Sequence, residues 1–167
     1  QAKATLYAIG AVNVLATFIA IAYVDRFGRK PLLRAGLIGM TASLAALGLA
    51  FTLFDENDTS GGGSSVVGTL TLVCMVVYIA SFAFSLGPVV WTMINEIYPN
   101  RIRGKAVSVA TAANWGAAFL VSMTFLSLLD ALGGSLTFWL FGVISIASFV
   151  WIGKKVPETK GKTLEEV

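Results

Sequence analysis

Residues 66–98 read VVGTLTLVCMVVYIASFAFSLGPVVWTMINEIY, and Glu96 is the one charged residue in this run. A helix needs roughly 20 apolar residues to cross about 30 Å of hydrocarbon. Helices satisfy their own backbone in a bilayer, whereas an open strand leaves polar edge groups in lipid. The run therefore predicts a membrane-spanning helix, long enough that it must tilt, bend or extend past the bilayer.

Four further apolar runs flank this one, at residues 4–24, 32–54, 105–128 and 136–153. Hydrophobic residues make up 56% of the 167-residue chain and charged residues 13%. Soluble domains carry roughly 25% charged residues, so this chain lacks the polar groups to cover a water-facing surface. The sequence predicts an all-α, polytopic bundle of five transmembrane helices in the plasma or inner membrane.

The basic residues lie almost entirely on one side of this five-span layout. All twelve basic residues except Lys3 fall in the first break, the third break or the tail. They are Arg26, Arg29, Lys30, Arg34, Arg101, Arg103, Lys105, Lys154, Lys155, Lys160 and Lys162. The positive-inside rule makes these loops cytoplasmic, with the N-terminus outside and the C-terminus inside. Four or six spans would spoil this segregation. Residues 1–153 thus form the transmembrane part, and 154–167 begin a cytoplasmic tail helix.

Composition also excludes several functions. There is no histidine, and the single cysteine, Cys74, lies in an apolar run, as a small buried hydrophobe would. The sequence offers no zinc cluster and no nucleophile–base set, so no metal, cofactor, catalytic residue or enzymatic activity is expected. No basic stripe with interleaved aromatics suggests nucleic acid. Membrane lipid is the partner that the composition requires.

The third span carries a predicted break at Gly87-Pro88. Proline removes one backbone hydrogen bond and crowds the preceding turn, so a kink is expected near residues 84–87. Broken helices in a membrane turn freed polar groups toward a cavity, which makes this a candidate ligand site. A packing kink is the alternative. Trp91 lies one turn further on, deeper than an interfacial tryptophan needs to be.

Charged residues at the cytoplasmic edge suggest a network. An acidic side chain such as Glu96 is energetically costly at the membrane edge without a partner. Arg29, Arg101 and Arg103 lie on the same side of the membrane as Glu96. The short loop from Asp25 is either a topogenic basic turn or a charge latch between helices.

The fourth span places Asn114-Trp115 near the bilayer midplane. Polar residues at that depth face the bundle or a water-filled path. Asn114 is either a cavity residue or an interhelical hydrogen-bonding residue. No span has a charge near its middle, so any proton coupling would reside outside this chain.

Three motifs resemble one family, the sugar porters of the major facilitator superfamily. The loop from Asp25 to Lys30 is similar to its D-R-x-G-R-[RK] signature. Residues 96–104 resemble its E-x-[YF]-P-x-x-x-R-G turn, and residues 157–161 read P-E-T-K-G, its tail motif. The resemblance covers nearly the whole chain. It implies part of a secondary transporter that moves a monosaccharide by alternating access.

The resemblance also implies roles for individual residues. Trp91, Asn114 and Trp115 look like the sugar-contacting residues, and Phe82 lines the same cavity. An indole stacks on a sugar face, and an amide both donates and accepts hydrogen bonds. The implied cytoplasmic latch consists of Asp25, Arg29, Glu96, Arg103 and Glu158.

The chain matches only the last five of the family's twelve spans. The preceding helix and the N-terminal half are partners that alternating access requires. Two other interpretations stay open: a facilitator for another small polar solute, and a non-transporting sensor or orphan fragment of the same fold.

Overall fold

The computed structural model describes residues 2–53 and 63–156, and every regular element in these ranges is a helix. The helices are α1 (Ala2–Phe27), α2 (Arg29–Leu53), α3 (Gly63–Phe84), α4 (Leu86–Ile97) and α5 (Asn100–Lys155). The predicted all-α fold is confirmed. Lys154 and Lys155 of the predicted tail are the last residues of α5, and residues 157–167, including Glu158, lie outside the described residues.

Two glycines with positive φ mark turns between helical segments in the described residues. Gly28 (φ 88°) is the single residue between α1 and α2, and its N–H donates to the carbonyl of Val24 at 3.1 Å. Gly133 (φ 75°, ψ 169°) interrupts α5. This conformation suits glycine because it has no Cβ. Gly133 divides α5 into a first arm, residues 100–132, and a second arm, residues 134–155.

The division of α5 explains its length. A straight helix of 56 residues would measure about 84 Å, far more than a bilayer needs. In residue range, the two arms overlap the fourth and fifth predicted spans, and α3 together with α4 overlaps the third. Among the described residues, the ranges Arg29–Leu53, Gly68–Ile97 and Asn100–Lys155 are long and apolar enough to cross a membrane, and Ile9–Val24 is a shorter apolar helix.

Helix α2 is the centre of the packing. It contacts α5 and α3 extensively and also touches α1 and α4. The apolar core at its cytoplasmic end joins three helices. Its buried members are Leu32, Leu33 and Leu37 of α2, Val89 and Met93 of α4, and Ile152 of α5.

Hydroxyl pairs join α2 to the second arm of α5. Thr41 Oγ1 lies 2.7 Å from Ser145 Oγ, and Thr52 Oγ1 lies 2.6 Å from Ser135 Oγ. Hydrogen bonds of this kind between transmembrane helices contribute to their association. The seam fixes the second arm against α2 over several turns.

The first arm of α5 is largely exposed. Trp115 is 69% exposed and Leu126 68% exposed, and residues 112–124 are exposed throughout. An apolar surface of this extent must be covered by lipid or by other helices. The chain is an integral, multi-pass membrane protein.

Candidate functional site

The helix break lies at Ser85, three residues before Pro88. Ser85 has φ −127° and ψ −86° and is fully buried. Its N–H donates to the carbonyl of Phe82 at 3.1 Å, and the N–H of Val89 donates to the carbonyl of Ser85 at 3.0 Å. Pro88 has no N–H to offer the carbonyl of Phe84, so the ladder is open at this turn.

Phe82 and Trp91 lie on opposite sides of the break. A Cβ at Gly87 would stand 3.4 Å from the Phe82 carbonyl oxygen and 3.7 Å from its ring carbon Cε1, so Phe82 folds over Gly87. The Phe82 side chain is still 44% exposed. Trp91 is half-buried in α4, between the core residues Val89 and Met93 in sequence. Aromatic surface is thus available on both sides of the break.

Asn114 and Trp115 belong to the first arm of α5, and both are exposed. An apolar cavity between α2, α3 and α5 is lined by none of Phe82, Trp91, Asn114 and Trp115. The placement of Asn114 and Trp115 on an uncovered helix leaves both proposed roles of Asn114 open, as a sugar contact and as an interhelical hydrogen-bonding residue.

At the cytoplasmic edge, the first residue of α2 pairs with the last turn of α4. Arg29 Nε donates to Glu96 Oε2 at 3.1 Å, and Arg29 Nη2 donates to Oε1. The Arg29 side chain is 12% exposed and that of Glu96 29% exposed. A two-pronged guanidinium–carboxylate contact is among the stronger charge-assisted arrangements in proteins. It ties the end of α4 to the start of α2.

The other predicted latch residues are placed differently. Arg103 Nε donates to the backbone carbonyl of Tyr98 at 3.2 Å, which braces the turn at Pro99. The side chain of Asp25 and all of Glu158 lie outside the described residues. The sequence predicted that Arg29, Arg101 and Arg103 lie on the same side of the membrane as Glu96. The structure pairs Glu96 with Arg29.

The break at Ser85 lies within the predicted kink near residues 84–87. An apolar cavity of about 370 Å³ was not recognised from the sequence. It lies between α2, α3 and both arms of α5, and its lining includes Leu47, Phe125 and Phe141. Such a lining suits apolar groups rather than a polyol. Within residues 2–53 and 63–156, no three His, Cys, Asp or Glu side chains cluster as metal ligands.

Comparison with known families gives one extensive match. The profile of the family described as "Sugar (and other) transporter" matches residues 3–167. The chain is 46% identical over 159 residues to trehalose transporter 1 of Drosophila melanogaster, covering 95% of this chain and 18% of that protein. It is 43% identical to the facilitated trehalose transporter Tret1 of Bombyx mori, covering 95% of this chain and 31% of that protein.

Solved structures give the same picture in three dimensions. The proton:xylose symporter XylE bound to 6-bromo-6-deoxy-D-glucose superposes with a TM-score of 0.83 at 38% identity, over 99% of this chain and 34% of that one. The inward-open form of XylE from E. coli superposes with a TM-score of 0.78 at 40% identity, over 95% and 33%. The chain therefore spans about a third of the length of the solved structures it matches.

Proposed function

Because the chain belongs to the sugar porter family of the major facilitator superfamily, we propose that it forms part of a transporter that moves a small sugar across the plasma membrane by alternating access. The observation that carries the proposal is the superposition, over 99% of this chain, on a symporter that holds a bound hexose derivative. The matched region includes α3 and α4 with the break at Ser85.

The nature of the sugar is the finer part of the proposal. The sequence resemblance implied a monosaccharide, and the xylose symporter fits that expectation. The relatives at 43–46% identity are trehalose transporters, and trehalose is a disaccharide. We therefore widen the proposed substrate to neutral mono- and disaccharides, with trehalose first to be tested because those relatives are the more similar in sequence.

The proposed contacts follow from the geometry of the break. The Trp91 indole offers a flat face to the C–H groups of a sugar and an N–H to a hydroxyl. Phe82 supplies a second apolar wall beside Gly87. Asn114 and Trp115 complete the site once the uncovered first arm of α5 is packed against the rest of a full-length transporter. Gly87 and Pro88 keep the backbone open at this depth.

The Arg29–Glu96 pair is proposed to be the central contact of a cytoplasmic latch, with Asp25, Arg103 and Glu158 around it. In the structure the pair is formed, so the start of α2 and the end of α4 are held together. Opening toward the cytoplasm requires α4 to leave this position. The latch therefore favours conformations in which the cytoplasmic side is closed.

The test uses the full-length parent transporter in proteoliposomes. Uptake of radiolabelled trehalose, glucose and xylose is measured for the parent, for Trp91→Ala and for Asn114→Ala. We expect saturable uptake of at least one sugar by the parent and a rise in KM of tenfold or more in both variants. Trp151→Ala is the matched control, because Trp151 is an exposed tryptophan on the second arm of α5.

Uptake of no sugar by a correctly folded parent would refute the proposed function. Uptake that is unchanged in both variants would refute the site assignment and leave the transport function in place.

A further inference from the structure

The helix break is seated in a notch on the neighbouring helix. We define the glycine notch as Gly36 and Gly39 of α2. A Cβ built on Gly36 would overlap both side-chain atoms of Ser85, Cβ and Oγ, and would lie 2.8 Å from the carbonyl oxygen of Ser81. A Cβ on Gly39 would overlap the Ser81 hydroxyl and lie 3.0 Å from the Ser81 Cβ. Only glycine permits so close an approach at these two positions.

The notch receives Ser85, the residue at the break, and Ser81, which lies one turn earlier. Ser85 is fully buried and has non-helical φ and ψ angles, whereas Ser81 is still within α3. Ser85 Oγ donates to the carbonyl of Ser81 at 2.8 Å, and Ser81 Oγ donates to the carbonyl of Val77 at 2.7 Å. The hydroxyls therefore fold back onto their own helix, and the fit against α2 depends on shape rather than on hydrogen bonds between the helices.

Helix α4 is consequently held on α2 at three levels. Ser85 in the glycine notch fixes the N-terminal end of α4, and Val89 and Met93 belong to the apolar core. Glu96 pairs with Arg29 at the C-terminal end of α4. Trp91 lies between the fixed ends. It is six residues, or about 9 Å, from Ser85 and five residues, or about 7.5 Å, from Glu96.

We propose that Gly36 is a positioning residue for sugar binding, which fixes the angle at which α4 leaves the break and thereby places Trp91 against the substrate. A methyl group at Gly36 has no space, so the break must move away from α2 by about 1 Å. If α4 pivots at the Arg29–Glu96 pair as a rigid rod, Trp91 moves by about half that distance. The inference rests on the proposed function, because it assigns Trp91 to the sugar site.

The effect on binding is expected to be large for so small a shift. In enzymes, a misplacement of about 1 Å caused by a mutation far from the reacting atoms can cost about a hundredfold in rate. A shift of about half that size at Trp91 predicts a rise in KM for the sugar of about tenfold. A general loss of stability would instead reduce the amount of folded transporter and leave the KM of the surviving molecules unchanged.

The experiment compares alanine at two buried glycines of the full-length parent in proteoliposomes. Gly36→Ala is the test variant. Gly142→Ala is the matched control, because Gly142 is buried between α5 and α2 and an added Cβ would meet Leu44 at 3.9 Å, an ordinary contact. KM and maximal rate of sugar uptake are measured per folded molecule, with trehalose, glucose and xylose as probes. We expect a tenfold rise in KM for Gly36→Ala and less than twofold for Gly142→Ala.

Two further variants change Ser85, the residue that rests on Gly36. Gly36→Ala combined with Ser85→Gly removes the side chain that the new methyl group would overlap and leaves the 2.8 Å contact with the Ser81 carbonyl oxygen, so KM should return part of the way toward the parent value. Ser85→Gly alone adds no atom and loosens the break, so it folds and raises KM at least threefold. It decides the matter if Gly36→Ala does not fold.

The possible results separate the two proposals. An unchanged KM in Gly36→Ala, or in Ser85→Gly where Gly36→Ala does not fold, would overturn the positioning role while sugar transport by the parent stood. A parent that takes up no sugar would refute the proposed function and, with it, the role of Gly36. A rise in KM confined to Gly36→Ala and Ser85→Gly, with recovery in the double variant, would establish the role.

Discussion

The change Glu96→Gln tests whether the ion pair between α2 and α4 holds the cytoplasmic side closed. The substitution keeps the size of the side chain and removes its charge, so the largely buried Arg29 loses the Glu96 carboxylate. Two unit charges about 4 Å apart attract by about 4 kcal/mol at an effective dielectric constant of about 20. Desolvation of both groups offsets part of that attraction.

The net effect is smaller than the Coulomb attraction. Hydrogen bonds that involve charged groups contribute about 1.5–3 kcal/mol, and the 12% and 29% exposed side chains of this pair favour the middle of that range. We take about 2 kcal/mol, which corresponds to about a thirtyfold change in an equilibrium constant. Glu96→Gln should therefore shift the parent about thirtyfold toward conformations that are open to the cytoplasm.

The measurement is the distribution of distances between spin labels at the cytoplasmic ends of the two halves of the full-length parent. Arg103→Ala should shift the distribution much less, because Arg103 contacts a backbone carbonyl rather than Glu96. Arg101→Gln serves as the control, since Arg101 is an exposed cation on the same side. If Glu96→Gln leaves the distance distribution as it is in the parent, the latch argument is wrong.

Two further predictions concern stability. Gly133→Ala should lower the free energy of unfolding by about 1–2 kcal/mol in detergent, because the φ of 75° is strained for any residue with a Cβ. The control is Gly116→Ala, which should not destabilise the protein because an added Cβ there meets nothing within 4 Å. Equal effects at the two sites would contradict the reasoning. In a double-mutant cycle of Thr41→Val with Ser145→Ala, the hydroxyl pair should show a coupling of about 0.6 kcal/mol, and a coupling of zero would mean that this part of the seam contributes shape only.

The sequence was most informative where one residue type has one physical consequence. Long apolar runs in a chain with 13% charged residues predicted helices in a membrane, and the structure confirms an all-α fold. A proline inside the third run predicted a kink within residues 84–87, and the helix breaks at Ser85. Each of these outcomes depends on local rules, namely backbone satisfaction in lipid and the missing N–H of Pro88.

The sequence was less informative where the outcome depends on tertiary packing. It placed Arg29, Arg101 and Arg103 near Glu96 without choosing among them, because all three lie on one side of the membrane. The choice of Arg29 depends on how α4 lies along α2. The role of Gly36 likewise has no signal in the sequence, since nothing in its neighbourhood reveals that the break of another helix rests on it.

The distribution of contacts also indicates which elements move together. Helix α2 and the second arm of α5 share hydroxyl pairs and close packing along several turns, so separating them would expose polar and apolar groups at once. Helix α4 has only 12 residues and is attached to α2 at Ser85, at the apolar core and at the Arg29–Glu96 pair. Loss of the ion pair releases the C-terminal end of α4, while the glycine notch still holds its N-terminal end. We therefore expect α4 to move about Ser85, with α2 as a fixed support, when the ion pair is lost, and this movement carries Trp91 with it.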